Sequence, residues 1–180
     1  MNITPRFSRT LALVAPTVAL GVSSASAASD YFLKIEGIKG ESTDSVHKDW
    51  IILESFSWGC TNAGARTGTG APTPKDLTVS KRLDKSSPQL MLACASGQHF
   101  PSVQFTVQGP DGSGAVTDYY VVTLSDVLVS SFQSSGGSGG DRPTESVSFN
   151  YQKIEIHYVQ VSTGETSSAS FDFTAPAGTL

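Results

Sequence analysis

The side chains able to do chemistry are few and do not converge in the sequence. The three histidines, His47, His99 and His157, share no common spacing. Asp44-x-x-His47-x-Asp49 puts three ligand-type residues into one polar stretch, a fragment of a divalent-cation site that polar loops also produce by chance, so no metal is assigned. His157 lies between Ile156 and Tyr158 in a strand pattern, where an exposed or core-edge histidine is the default. His99 follows a helix stop and is placed to interact with the last helical carbonyls. Serines are abundant, yet there is no G-x-S-x-G elbow, and Ser130-Ser131 and Ser134-Ser135 have no assignable base. Glu36, Glu41 and Glu54 are scattered and do not pair as acid and base. Gly136–Gly140 lacks the lysine and the following helix that would cradle a phosphate. Cys60 and Cys94 have neither CxxC nor Cys/His zinc spacing. They could bridge in an oxidising compartment if geometry allowed, and they read as two free thiols. No catalytic residue and no cofactor is assigned, and the chain does not read as an enzyme.

The elements that would position these groups are mostly strands. The exception is Lys81–Pro101 (KRLDKSSPQLMLACASGQHFP), which contains the one convincing helix. Ser87 is the expected N-cap and Pro88 the first helical residue, where a missing N–H costs nothing. Leu90, Met91, Cys94 and Ala95 recur at three- and four-residue steps and form an apolar stripe; Gly97 and Pro101 end the element. A helix this short is not stable alone, so the stripe must pack on the strands.

Strands are expected at Asp30–Ile38, Asp49–Cys60, Lys75–Leu83, Ser102–Gly109, Thr117–Phe132 and Thr144–Val161, with a short last one at Ser170–Thr174. In the second, Ile52, Glu54, Phe56 and Trp58 share one face, and Ile51, Leu53, Ser55 and Ser57 the other. Ser125-Asp126 is read as a bulge or break, and the alternation switches face after Lys153, which suggests another bulge. Pro110–Gly114 is a hairpin turn and Gln133–Pro143 a flexible Gly/Ser link. Thr61–Pro74 is a long Gly/Thr/Ala/Pro loop with one charge, Arg66, of the kind that is functional or disordered. About seven strands with hairpin connections and one short helix imply a mainly β fold, an antiparallel β-barrel or tight sandwich.

The chain has 180 residues, 17 glycines and a formal net charge of -4, with no basic cluster, which argues against nucleic acid as partner. Residues 1–27 read as a signal peptide: Arg6 and Arg9 form a basic start, Leu11–Val22 an apolar core, and Ala25-Ser26-Ala27 a small-x-small site cut between Ala27 and Ala28. The apolar run is too short to span a bilayer comfortably, so no stable membrane insertion is expected once the leader is removed. Residues 28–180 are then one domain, secreted or periplasmic. A start placed too far upstream would instead leave the protein cytoplasmic.

Several stretches, in order, resemble one family. Tyr31–Gly40 with Glu41-Ser42-Thr43-Asp44, then Phe56-Ser57-Trp58-Gly59, Asp84–Met91 with Ala93–Gly97, Leu128-Val129-Ser130-Ser131, Gly136–Gly140 and Arg142–Glu145 are similar to segments of the haemolysin-coregulated protein (Hcp) family. The likeness runs over about residues 30–160. That family forms the inner tube of the type VI secretion system. The resemblance implies a β-barrel of two sheets with one helix on its side, a homohexameric ring with a wide pore, stacking of rings, and carriage of effector proteins in contact with the secretion apparatus. It also implies that the loop after the second strand reaches a neighbouring subunit or ring; here this is Thr61, Asn62, Ala63, Gly64, Ala65, Arg66, Thr67, Gly68, Thr69 and Gly70. No toxin domain is expected after the barrel. The leader departs from the family pattern, and leaves open an exported Hcp-like barrel acting as a periplasmic or extracellular binding module.

Overall fold

A computed structural model describes residues 29–63, 70–111 and 113–175. The expected leader and its cleavage site at Ala27 and Ala28 lie outside the described residues. The chain folds as β1 (Asp30–Ile35), β2 (Ile51–Leu53), β3 (Ser55–Asn62), β4 (Pro72–Arg82), α1 (Ser87–Ser96), β5 (His99–Pro110), β6 (Val116–Ser135), β7 (Thr144–Val159) and β8 (Thr166–Asp172). All pairings are antiparallel. They form a single hydrogen-bonded path, β2-β1-β5-β6-β7-β4-β3, with β8 added to β7, rather than two separate ladders.

The path curls into a barrel left open along one seam. Phe56, on the strand at one end, lies 4.3 Å from the Phe105 ring and 5.5 Å from the Tyr31 ring, which belong to strands near the other end. The chain itself joins the two ends, because β2 and β3 are consecutive. The expected single strand Asp49–Cys60 is therefore two strands, divided at Glu54, whose N–H donates to the Ser80 carbonyl at 2.8 Å. The inward face changes there: Ile51 and Leu53 are buried before the break, and Phe56 and Trp58 pack on the core after it, while Ile52 is exposed. Alternation is a property of an unbroken strand, so a corner resets it.

A second reset crosses three strands at once. Buried residues run Phe100 then Val103 in β5, Leu124 then Val127 in β6, and Tyr151 then Ile154 in β7. In each strand one extra residue steps outward at a common level, near Pro101, Asp126 and Gln152. Asp126 adopts φ 52. The ladder resumes in the same register on both sides, Ser125 opposite Lys153 and Val127 opposite Tyr151, so this is a crease in register and not the bulge expected after Lys153. The true register shift between β6 and β7 falls between Val129 and Ser131. Beyond the crease β7 exchanges its neighbour from β4 to β8, and the Phe173 N–H caps the junction on the Gln152 carbonyl at 2.9 Å.

The helix forms where expected with a different start. Ser86, not Ser87, occupies the N-cap position and makes no side-chain cap. The Ser87 hydroxyl is drawn instead into the polar cluster described below. Gly97 ends the helix with φ 65, and the Gln98 N–H reaches the Ala93 carbonyl at 3.1 Å. The packed face is narrower than the expected stripe: Leu90 and Ala93 are buried and Cys94 half-buried, whereas Met91, Leu92 and Ala95 face outward. Full burial of Leu90 contributes about 2 kcal/mol. Cys60 and Cys94 are both free thiols.

Candidate functional site

Lys81 follows Leu77 and Val79 on the inward face of β4 and is fully buried. Its ammonium donates to Glu145 Oε2 on β7 at 2.7 Å and to the Ser87 hydroxyl at 3.0 Å, and lies 2.9 Å from Asp84 Oδ1. Ser87 Oγ donates to the same Glu145 oxygen at 2.6 Å and accepts the Asp84 N–H at 3.1 Å. A lone buried ammonium would cost several kcal/mol, and this one is matched by carboxylates and a hydroxyl. A serine beside a lysine can act as a nucleophile, but here both are sealed in the core, and the cluster ties the start of α1 to β4 and β7.

A second cluster fastens the segment 39–50, here called the strap, which connects β1 to β2. Its two limbs are joined by Gly40 N–H to Asp49 carbonyl (2.8 Å), Ser42 N–H to Trp50 carbonyl (3.1 Å) and Asp49 N–H to Ser42 carbonyl (2.9 Å). The limbs approach so closely at Gly40 that a Cβ there would fall on the Trp50 carbonyl and the Ile51 backbone. His47 is buried beneath the strap. Its Nδ1 lies 2.9 Å from Asp44 Oδ1 and its Nε2 3.1 Å from Asp118 Oδ2 on β6. The His47 backbone N–H also donates to Asp44, which holds that carboxyl below its usual range. Asp49 takes no part: its carboxylate turns to Lys85 at 3.3 Å and Lys39 at 3.5 Å, Lys85 holding it below its usual range. The fragment Asp44-x-x-His47-x-Asp49 therefore does not converge, and among the described residues no group of three or more potential ligands is poised for a metal ion.

His99 does not cap the helix. It is exposed, and its Nδ1 lies 3.0 Å from Asp126 Oδ1, because Pro101 and Asp126 face each other at the crease. His157 is exposed on β7, opposite Val121 and Ser168. Glu41 and Glu54 are held by arginines, Arg142 at 3.3 Å and Arg82 at 2.7 Å, around a groove of about 300 Å³ that Ile52 and Asp84 also line. Ion pairs rim the groove, and no nucleophile lines it.

The expected inter-subunit loop is shorter than its sequence suggests. Thr61 and Asn62 belong to β3 and pair with Thr73 and Pro72 of β4, so the hairpin ladder extends outward before the chain turns at Ala63. Residues 64–69 lie outside the described residues, and Gly70 is half-buried as the chain returns. The surface also carries exposed apolar side chains, Met91 and Leu92 on α1 and Val116, Tyr158 and Phe171 on the sheet beyond the crease. Short polar groups cross the outer face of β4, β7 and β6: Thr78 bonds Ser148 at 3.0 Å, and Asp76 accepts from Ser130 and from Asn150, the latter at 2.9 Å. Sequence reasoning missed Lys81, Glu145 and Asp118. The one available signal was Lys81 standing at an inward position of the β4 alternation.

Comparison with known proteins places these features. The family model described as type VI secretion system effector, Hcp, matches residues 32–158. The chain is 39% identical over 136 residues to protein hcp1 of Pseudomonas aeruginosa, covering 73% of this chain and 83% of that protein. It superposes on the crystal structure of Hcp1 from Salmonella typhimurium with a TM-score of 0.70 at 31% identity, over 81% of this chain and 95% of that one. A type VI secretion system effector from Yersinia pestis gives a TM-score of 0.68 at 29% identity, over 79% and 99% of the two chains.

Proposed function

Because this chain belongs to the Hcp family of the type VI secretion system, we propose that it is a structural ring subunit of the secretion tube and performs no catalysis. The observation that carries the reading is the extent of the likeness, residues 32–158, which takes in the helix and the strands from β1 into β7. The side-chain clusters agree with it: the buried ones tie elements together, and the glutamates and arginines that line the groove are paired with one another. The comparisons do not favour the alternative of an exported binding module.

The finer reading is a homohexameric ring that stacks on further rings and carries effector proteins. Its contacts are heterologous, two different surfaces of each copy closing by rotation. The segment Thr61–Gly70, whose first two residues pair with Thr73 and Pro72 of β4, is assigned the contact with the neighbouring subunit or ring. Exposed Met91 and Leu92 are apolar area that assembly would cover. Residues 1–27 act as a cleaved leader in this reading, and residues 28–180 as one domain.

Light scattering after size exclusion tests the ring. A mass of about six subunits is the expected result; a monomer at high concentration overturns it. Replacing residues 63–70 by a two-residue turn should leave the barrel folded and abolish ring stacking. Intact mass of the exported protein should place the new terminus at Ala28.

A further inference from the structure

We propose that one water molecule is bound beneath the strap, bridging the Thr106 hydroxyl on β5 to the Asp118 carboxylate on β6, and that the strap closes over it. The strap lies on the outer face of the sheet, the side of β5 opposite the core positions Phe105 and Val107. On that covered face Thr106 is 0% exposed, and Phe32, Gln108 and His47 are buried with it. Two polar atoms there are sealed with no hydrogen-bond partner among the described residues, Thr106 Oγ1 and Asp118 Oδ1. Asp118 is half-buried as a residue, and its second oxygen, Oδ2, is taken by His47 Nε2 at 3.1 Å.

The strand register explains why these two atoms do not meet. Thr106 stands between Phe32 on β1 and Val121 on β6, and Gln108 stands opposite Asp118. The ladder shifts between Val107 and Gln108, where Tyr119 is the extra residue. Thr106 and Asp118 are thus diagonal neighbours on one face, and such neighbours stand about 7–8 Å apart. A threonine hydroxyl is too short to close that gap, whereas one water with two hydrogen bonds of about 2.8 Å spans it. The Tyr119 hydroxyl is not the missing partner, because it pairs with Ser29 Oγ at 3.0 Å. An ionised carboxylate oxygen only accepts, while a hydroxyl donates and accepts. A water satisfies both: it donates to Asp118 Oδ1 and accepts from Thr106. The Gln108 amide, directly opposite Asp118, is placed as a third partner, and buried waters make about three such bonds. A divalent cation would ask for more oxygen ligands, and among the described residues no group of three or more potential metal ligands converges. The His47 ring, stacked on Phe32 at 4.4 Å, roofs the place, so the water exchanges with solvent when the strap lifts. The water thereby fixes the carboxylate that His47 uses to fasten the strap to β6.

A crystal structure of the whole protein tests the site. The expected result is one density peak about 2.7–3.0 Å from both Thr106 Oγ1 and Asp118 Oδ1. A Thr106 hydroxyl bonded directly to a protein acceptor, with no peak between the two atoms, overturns the proposal. A peak about 2.3–2.6 Å from its oxygen ligands is a cation and overturns it as well. Thr106→Val keeps the shape of the side chain and removes one partner of the water. In that variant the peak should vanish, and amide exchange of residues 40–50, read against β6 and β7, should quicken by about fivefold, as loss of one hydrogen bond gives. A peak that persists in the variant, or strap exchange that does not change, contradicts the proposal. If the variant fails to fold, the density in the wild type decides alone.

Discussion

Lys81 and Glu145 are direct partners in the β4–β7 ladder, and their side chains meet inside the barrel with Nζ 2.7 Å from Oε2. Both are at most 1% exposed, so neither can turn to water if the other is removed. The pair also fixes the Ser87 hydroxyl, and through it the first turn of α1.

Lys81→Met should therefore be among the most damaging single changes, lowering stability by about 3–5 kcal/mol, because it strands Glu145 and Asp84 near one another without a cation. Glu145→Gln should cost less, since Asp84 remains 2.9 Å from the ammonium. The double variant Lys81→Met/Glu145→Leu should recover part of the loss. Urea unfolding midpoints of the three variants check the order; a Glu145→Gln variant weaker than Lys81→Met would contradict it.

Two glycines are needed for different reasons, and one substitution series separates them. Gly97 sits at φ 65 with open space around its α-carbon, so Gly97→Ala should cost about 1–2 kcal/mol and Gly97→Asn less. Gly40 is limited by contact with the Trp50 and Ile51 backbone, so alanine and asparagine should both cost about 1–3 kcal/mol or more. Thermal melting of the four variants reads this directly.

Asp172 anchors the end of β8. The Lys153 ammonium at 2.7 Å, with the Thr174 hydroxyl and N–H, holds its carboxyl well below the usual range. A carboxyl depressed in the folded state contributes stability that is full above its ordinary value, near ~4, and is lost as pH falls. Protection of β8 amides should thus decline on acidification below about pH 4 ahead of the β6–β7 core. Asp172→Asn should remove that acid dependence.

Tyr151 is buried with its hydroxyl unpartnered, and burial pushes its phenol up to about 12. An unfolded tyrosine ionises near ~10, so the folded state loses stability as pH rises past that value. Tyr151→Phe removes an unpaired polar group, so it should be neutral or stabilising by up to about 1–2 kcal/mol. It should also flatten the alkaline limb, as followed by denaturant midpoints between pH 8 and 11.

Much of the strand pattern was legible because alternation is local. Leu77, Val79 and Lys81 share a face in the sequence and in the barrel, and Val147, Phe149 and Tyr151 do the same. The helix was legible from Pro88 and Gly97, though its cap moved by one residue. The reset at Glu54 was not, since nothing in DWIILESFSWGC says that the chain changes sheet ends there. The hairpin after β3 looked like open loop because Thr61, Asn62 and Pro72 carry no apolar signal; a ladder far from the core needs none.

The sequence by itself determined the class: a β protein with one short packed helix, no convergent chemistry, and an ordered set of segments similar to one family. Tertiary structure alone decided the partners. Glu145 lies 64 residues from Lys81, and Asp118 lies 71 from His47. Periodicity tells which side of a strand a residue occupies, but not which strand comes to lie opposite. That is settled when the whole barrel closes and each buried charge must find a counter-charge or forfeit its hydration.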